Sequence, residues 1–500
     1  VRIELRPTGH QARRKALIDL RPVGFVLGLL LTALGAAMLA PLAVDLWDGS
    51  RNWQAFFEAA VFTSLTGAMI SVACRSGLDS DDEFTVREAF LLTTGIWVFA
   101  PVFGALPFIT GAPHAGFTDA YFEAVSGITT TGSSVFPHLD LLPPGVLLWR
   151  GILNWLGGLG IAFVAMIFLP VMRVGGMKFF RTEGFDTMGK VLPRATDIAQ
   201  RLLAFYVLLT LACIVTYVLF GMTLFDGVVN AFATVATGGF STSDASFGKY
   251  AGPAEYAGAF FMILSALPYI RFVQMMGGAY RPMLRDPQVH AFLRWVTIAV
   301  GITVLYRVLT SNAPIETIVR QSLFNIVSIF TGTGFSSADV NSWGPFAVVV
   351  ALAVGLIGGC SSSSSGAFSV FRTQILFAAI RAQISKVHSP SRMMVVRYDG
   401  VVLDAEVMNP LIMYLTGYLV TIMILSIGVS LTGVDIESAL MAVWTSIGNI
   451  GYVFGSATQP TGTMVDFDDT AKWLMIIAML MGRLGMVAGY VLLLPRFWRG

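Results

Sequence analysis

Ten long apolar stretches run through this chain, over 23–44, 54–74, 88–108, 146–172, 200–220, 253–275, 291–310, 344–370, 409–430 and 471–495. A helix of roughly 20 residues crosses the hydrocarbon layer of a bilayer. Inside that layer no water completes backbone hydrogen bonds, so runs of this length are read as spanning helices. The sequence is 55% hydrophobic and only 12% charged, where a soluble domain carries about 25% charged residues. Its 51 glycines and 37 phenylalanines suit close helix contacts and membrane interfaces. The fold class is therefore an all-α polytopic membrane protein.

A basic arm (Arg2, Arg6, Arg13, Arg14, Lys15 and Arg21) precedes the first stretch. The run from Val23 to Val44 is longer than a signal-peptide core and lacks its small-residue cleavage site, so it reads as a true first span. Cys74, Cys213 and Cys360 lie in or beside apolar segments and give no disulfide framework. The five histidines form no metal-ligand spacing, so neither a zinc nor a di-iron site is expected.

Between the later spans lie four shorter apolar stretches, near 116–128, 223–236, 316–330 and 435–448. They are too short to span and suit re-entrant half-helices. Each ends in a glycine turn: Thr129-Thr130-Thr131-Gly132, Thr237-Gly238-Gly239-Phe240-Ser241-Thr242, Thr331-Gly332-Thr333-Gly334-Phe335-Ser336 and Gly448-Asn449-Ile450-Gly451-Tyr452. The reference glycines 132, 239, 334 and 451 stand 107, 95 and 117 residues apart. That spacing predicts a fourfold repeat of span, half-helix, turn and span. Its expected boundaries are 81–190, 191–288, 289–400 and 401–500, after two leading spans in 1–80.

Most of the 32 Lys and Arg residues fall on one side if the first span runs outward. Arg51, Arg150, Lys249, Arg307, Arg320 and Lys472 fall on or near the other side, and Arg483 lies within the last span. This bias puts the loops 173–201, 271–294 and 372–397 inside and all four glycine turns toward the outside. Asp119, Glu123, Asp140, Asp226, Asp244, Asp339, Asp435 and Glu437 surround the turns. They are expected to form an acidic rim that concentrates cations.

Backbone that cannot pair with itself at membrane depth must line a path or be buried in protein. Glycine opens left-handed conformations in which carbonyls can replace a cation's hydration shell. No carboxylate lies within the turns, which points to a monovalent, weakly hydrated cation. No nucleophile–base pair or phosphate loop is present, and Gly157-Gly158-Leu159-Gly160 lies inside a predicted span, out of context for a dinucleotide site. An enzyme is not expected.

The turn sequences resemble the pore loops of the TrkH/TrkG/KtrB family, the membrane subunits of bacterial potassium uptake systems, with the TrkH branch the nearest because of the two leading spans. Asn154-Trp155-Leu156-Gly157-Gly158-Leu159-Gly160-Ile161 is similar to the start of that family's first inner pore helix. Gly482-Arg483-Leu484 and Pro495-Arg496-Phe497-Trp498-Arg499 are similar to its last helix. The resemblance implies four joined repeats around one pore, with a potassium filter at Thr130, Thr131, Gly132, Thr237, Gly238, Gly239, Thr333, Gly334, Ile450 and Gly451. Potassium would be held mainly by backbone carbonyls. The resemblance further implies an intramembrane gate at Gly358, Gly359, Cys360, Ser361, Ser362, Ser363, Ser364, Ser365 and Gly366, with Arg483 beside it. It implies a homodimer in the bacterial inner membrane, both termini cytoplasmic. A cytoplasmic TrkA/KtrA-like ring would carry the nucleotide, leaving this chain no cofactor beyond potassium and no nucleic-acid partner.

Two segments depart from the family pattern. The fourth turn has Tyr452-Val453-Phe454-Gly455 where relatives have a glycine-proline-glycine type of segment, and the gate has a serine run where relatives are richer in glycine. The aromatic bulk of Tyr452 and Phe454 is expected to pack behind the loop. A sodium-permeable or sodium-coupled transporter, and a scaffold or receptor that has lost conduction, stay open as alternatives.

Overall fold

The computed structural model describes residues 20–75, 86–163, 195–388, 396–399, 401–403, 405–452, 454–458, 462–495 and 497. The N-terminal arm up to Lys15, most of the loop 173–201, Val453, Arg496, Trp498 and Arg499 lie outside the described residues.

Among the described residues the regular structure is helical, apart from a two-stranded antiparallel hairpin of β1 (Arg397–Tyr398) and β2 (Val401–Val402), paired Arg397 with Val402 and Tyr398 with Val401. Helices α1 (Arg21–Ala37), α2 (Leu39–Asp48) and α3 (Trp53–Ala73) form the leading pair of spans. They cross closely because glycine faces backbone: a side chain at Gly28 would strike the Gly67 carbonyl, and one at Gly67 would strike Thr32. Next come α4 (Val86–Gly104), α5 (Leu106–Thr110), α6 (Phe117–Ile128) and α7 (Pro144–Phe163). The middle of the chain forms α8 (Ala195–Leu219), α9 (Leu224–Val235), α10 (Pro253–Ser265), α11 (Tyr269–Met276), α12 (Arg281–Arg285), α13 (Pro287–Thr310), α14 (Ile315–Thr331), α15 (Pro345–Ile357) and α16 (Val370–His388). The chain closes with α17 (Ala405–Ser430), α18 (Ile436–Gly448), α19 (Asp469–Leu484) and α20 (Met486–Leu493).

Among the described residues, six helices are long and apolar enough to cross a membrane: Arg21–Asp48, Trp53–Ala73, Arg87–Thr110, Ile198–Leu219, Pro287–Thr310 and Met408–Ser430. They coincide with six of the ten predicted spans. The stretch 146–172 is helical as far as Phe163, where the described residues stop.

The other three are broken, each for a local reason. The stretch 253–275 is two helices bent by 86°. Pro268 cannot donate a helical hydrogen bond. The Ala266 carbonyl instead accepts from Cys360 N at 2.9 Å, and Tyr269 N donates to Ser362 O at 2.9 Å. The stretch 344–370 stops being helical from Gly358 to Ser369. The last stretch breaks at Gly485, whose φ is +83°.

Among the described residues, the buried apolar side chains form two clusters. One joins the leading helices to α6, α7, α17, α18 and α19; the other joins α8 through α15.

Candidate functional site: a ring of four backbone turns

Four short helices, α6, α9, α14 and α18, each end in one of the glycine turns. Two of them start on a side-chain cap. Thr223 caps α9 by accepting from Asp226 N at 3.1 Å, and Asp435 caps α18 by accepting from Ser438 N at 3.0 Å. Ser438 N holds the Asp435 carboxyl below its ordinary pKa. Their C-terminal halves are buried almost throughout.

The turns share one backbone geometry. In each, two residues separated by one have positive φ: Thr130 (50°) and Gly132 (83°), Thr237 (50°) and Gly239 (70°), Gly332 (71°) and Gly334 (82°), Asn449 (50°) and Gly451 (75°). In each, the residue between them donates its N–H five residues back. Thr131 donates to Ser126 O, Gly238 to Ala233 O and Thr333 to Ser328 O, each at 2.8 Å, and Ile450 donates to Thr445 O at 2.9 Å. Alternating left- and right-handed φ turns successive peptide planes to the same side, which a strand does not do.

The turns close on one another. A Cβ on Gly132 would strike the Gly238 carbonyl oxygen, one on Gly239 that of Thr333, one on Gly334 that of Ile450, and one on Gly451 that of Thr131. Four carbonyl oxygens thus alternate with four glycines in a closed ring. Eight of the ten residues singled out for the filter form it, and the other two, Thr130 and Thr237, stand one residue before it in the first and second turns. Gly332 and Asn449 complete the left-handed set and escaped the sequence reading. Their signal was spacing, since each stands two before its reference glycine, as Thr130 and Thr237 do.

A cavity of about 500 Å³ opens over the ring, with Gly132, Gly239, Gly334 and Gly451 all on its wall. Asp244 and Asp339 line it too. The expected acidic rim is otherwise not one surface. Glu123 is buried against Arg150, with Oε1 2.7 Å from Nε, and Asp119 pairs with Lys472 at 2.7 Å. Asp226 accepts from Thr223, Thr242 and Tyr250, and Asp435 is a helix cap. Acids near helix N-termini answer the local helix dipole before they answer a distant ion. Tyr452 and Phe454 are buried with ring centroids 4.8 Å apart, and Tyr452 OH donates to Ala338 O at 3.0 Å.

The non-helical segment from Gly358 to Ser369 lies against the turns, for a side chain on Gly366 would meet Gly448 O and Asn449. Its backbone is anchored to the break between α10 and α11, as above, and Ser361 N donates to Gln288 Oε1 at 3.0 Å. Ser364 is its hub. Its hydroxyl lies 3.2 Å from Thr237 Oγ1, 3.1 Å from Tyr269 OH and 3.2 Å from Ser265 O. Gly359 N donates to Ser365 Oγ at 2.9 Å, and Ser363 Oγ to Cys360 O at 2.7 Å, so the run is folded on itself. Arg483 bridges this segment to the first turn. Its guanidinium donates to Ser364 O at 3.1 Å and also to Thr129 O and Thr130 Oγ1.

Comparison with known proteins places the chain in a family and gives its fold a precedent. A family described as TrkH, cation transport protein, matches residues 52–497. The Trk system potassium uptake protein TrkI of Halomonas elongata is 39% identical over 414 residues, covering 82% of this chain and 84% of that protein. TrkH of the same organism is 34% identical over 490 residues, covering 96% and 100%, and TrkH of Escherichia coli K12 is 32% identical over 486 residues, covering 96% and 99%. The crystal structure of the potassium transporter TrkH from Vibrio parahaemolyticus superposes with a TM-score of 0.87 at 30% identity, over 96% of this chain and 100% of that one. With a family match across most of its length and relatives alike nearly end to end, this chain belongs to the TrkH family of cation transport proteins.

Proposed function

We propose that this chain is the potassium-conducting membrane subunit of a Trk-type uptake system, a transporter in which four covalently joined repeats surround one gated pore. The observation that carries the reading is the closed ring in which the carbonyls of Thr131, Gly238, Thr333 and Ile450 alternate with Gly132, Gly239, Gly334 and Gly451. Carbonyl dipoles substitute for the hydration shell of a cation. The C-termini of four helices end at the ring, and each adds a partial negative charge of about half an electron. That field attracts a monovalent cation without the tight hold of a carboxylate. The relatives named as potassium uptake proteins agree with potassium as the ion.

The gate in this reading is the segment Gly358–Gly366 with Arg483. A guanidinium hydrogen-bonded to Thr129 O occupies an oxygen that a passing ion would use. The chain works as a homodimer in the bacterial inner membrane, with both termini cytoplasmic. A TrkA/KtrA-like ring beneath it carries the nucleotide. The repeats are bounded at 81–190, 191–288, 289–400 and 401–500.

The test is rubidium uptake into proteoliposomes with sodium as competitor, beside potassium-limited growth of a transport-deficient bacterium carrying this chain and its regulatory partner. Uptake that resists sodium supports the reading. Equal uptake of sodium points to the sodium-permeable alternative, and no uptake with or without the partner overturns conduction.

A further inference from the structure

Each turn has a residue nine positions before its reference glycine: Glu123, Asn230, Asn325 and Ala442. In the first and third walls that side chain ties down the chain just beyond the ring. Val135 N donates to Glu123 Oε2 at 2.9 Å, and Ser337 N to Asn325 Oδ1 at 3.1 Å. In the second wall Asn230 Oδ1 is buried without a partner, and in the fourth the position is an alanine.

The two tied walls each connect to the next. Arg150 lies on α7, and 1% of its side chain is exposed. Its Nε meets Glu123, its Nη2 donates to Ser134 Oγ at 3.2 Å, its Nη1 donates to Ser241 O at 3.0 Å, and its guanidinium covers the Phe240 ring at 4.1 Å. Ser134 follows Gly132, and Phe240 and Ser241 follow Gly239, so one buried cation joins the first wall to the second. Across the ring, Tyr452 of the fourth wall donates to Ala338 O in the third and lies 3.5 Å from Asn325 Oδ1.

We infer that the Glu123–Arg150 pair, with Asn325–Tyr452 opposite, clamps the ring as two pairs of walls and sets how sharply it separates potassium from sodium. The inference rests on the ring being the filter. All four are positioning residues, because they hold the turns through groups beside the ring. A carbonyl ring discriminates between ions of different radius only while its oxygens are held to within about 0.5 Å. The clamp supplies that stiffness through groups that are held almost wholly within the protein: Glu123 and Asn325 are fully buried, and Arg150 and Tyr452, on the wall of the cavity, expose 1% and 3%. A buried ion pair often adds little net stability against an apolar replacement, so its worth here is geometric.

The experiment is rubidium uptake by the full-length protein in proteoliposomes, titrated with sodium, for Glu123→Gln, Arg150→Lys and Tyr452→Phe. Glu123→Gln and Arg150→Lys are expected to lower the sodium concentration that halves uptake by about tenfold, and Tyr452→Phe by about threefold. A role confined to folding would reduce the amount of folded protein and scale both ions' fluxes together, leaving that concentration unchanged. Tyr452→Phe removes a single oxygen and keeps the packing, so it decides the matter even if the other two variants do not fold. Wild-type competition by sodium in the variants that do fold overturns the inference. Gly132→Ser separates the two readings. If it shifts the competition and the clamp variants do not, the clamp alone falls; if neither does, the filter assignment falls with it.

Discussion

At the scale of single residues, glycine at 132, 239, 334 and 451 is demanded twice. Each has positive φ, and each faces a neighbouring turn's carbonyl where a Cβ has no room. Serine at any one of the four is expected to weaken potassium selection more than it weakens folding, read as stronger sodium inhibition of rubidium uptake. Gly238 differs, for its φ is ordinary and its Cα is covered by the amide of Asn154, a buried side chain with neither polar atom partnered. Arg483 supports a prediction of its own. A unit charge about 4 Å from an ion opposes it by about 4 kcal/mol at an effective dielectric constant of about 20. Arg483→Ala should therefore raise basal rubidium flux at least about tenfold, measured without a regulatory partner. The glycines and Arg483 could be read from the sequence because a glycine after a half-helix, or a charge within a span, is costly wherever it occurs. Arg150 could not be singled out that way. On the sequence it is one outer-side arginine among several, and its partners lie 27 and 91 residues away.

At the scale of elements, two of the four short helices, α9 and α18, begin with side-chain caps that the sequence announces, Thr223 and Asp435. Asp435→Ala should destabilise α18 by about 1 kcal/mol at neutral pH. The folded pKa of Asp435 is depressed, so its contribution is present above the unfolded carboxyl pKa and is lost as pH falls through the folded one. The stability gap between variant and wild type should accordingly narrow below about pH 4. Thermal melts at neutral and acid pH check this. The intramembrane segment gives a second prediction at this scale. Shortening Ser361–Ser365 removes the hub at Ser364 and should raise basal flux. Combined with Arg483→Ala it should add less than the sum of the two effects if the proposed gate is one obstacle, since Arg483 Nη1 bonds Ser364 O. The break in 344–370 could be foreseen, since glycines and serines in a row do not hold a helix. The stretch 253–275 reads as one span, although Pro268 stands in it. A proline in a membrane helix bends it by different amounts according to what satisfies the freed groups. Here the partners are Cys360 and Ser362, almost a hundred residues on.

At the scale of the whole molecule, the reading of a dimer seated on a cytoplasmic ring predicts contact along the inner loops. Lys386, at the end of α16, should crosslink to the regulatory subunit under gentle detergent, and recovery of the protein free of any such subunit from its native host would count against that arrangement. Local chemistry and period were enough to place six unbroken spans, the half-helices and the glycines after them. These follow from burial length and backbone freedom, which a short window of residues contains. Packing between distant segments is what brings the four turns into a ring and commits Glu123 and Asp119 to ion pairs and Asp226 to three hydroxyls in place of a rim. It alone joined Arg150 to Ser241 and Arg483 to Ser364. The reason is that a buried polar group takes whichever partner the packing brings within hydrogen-bond reach, and in a bundle of helices that partner lies far along the chain.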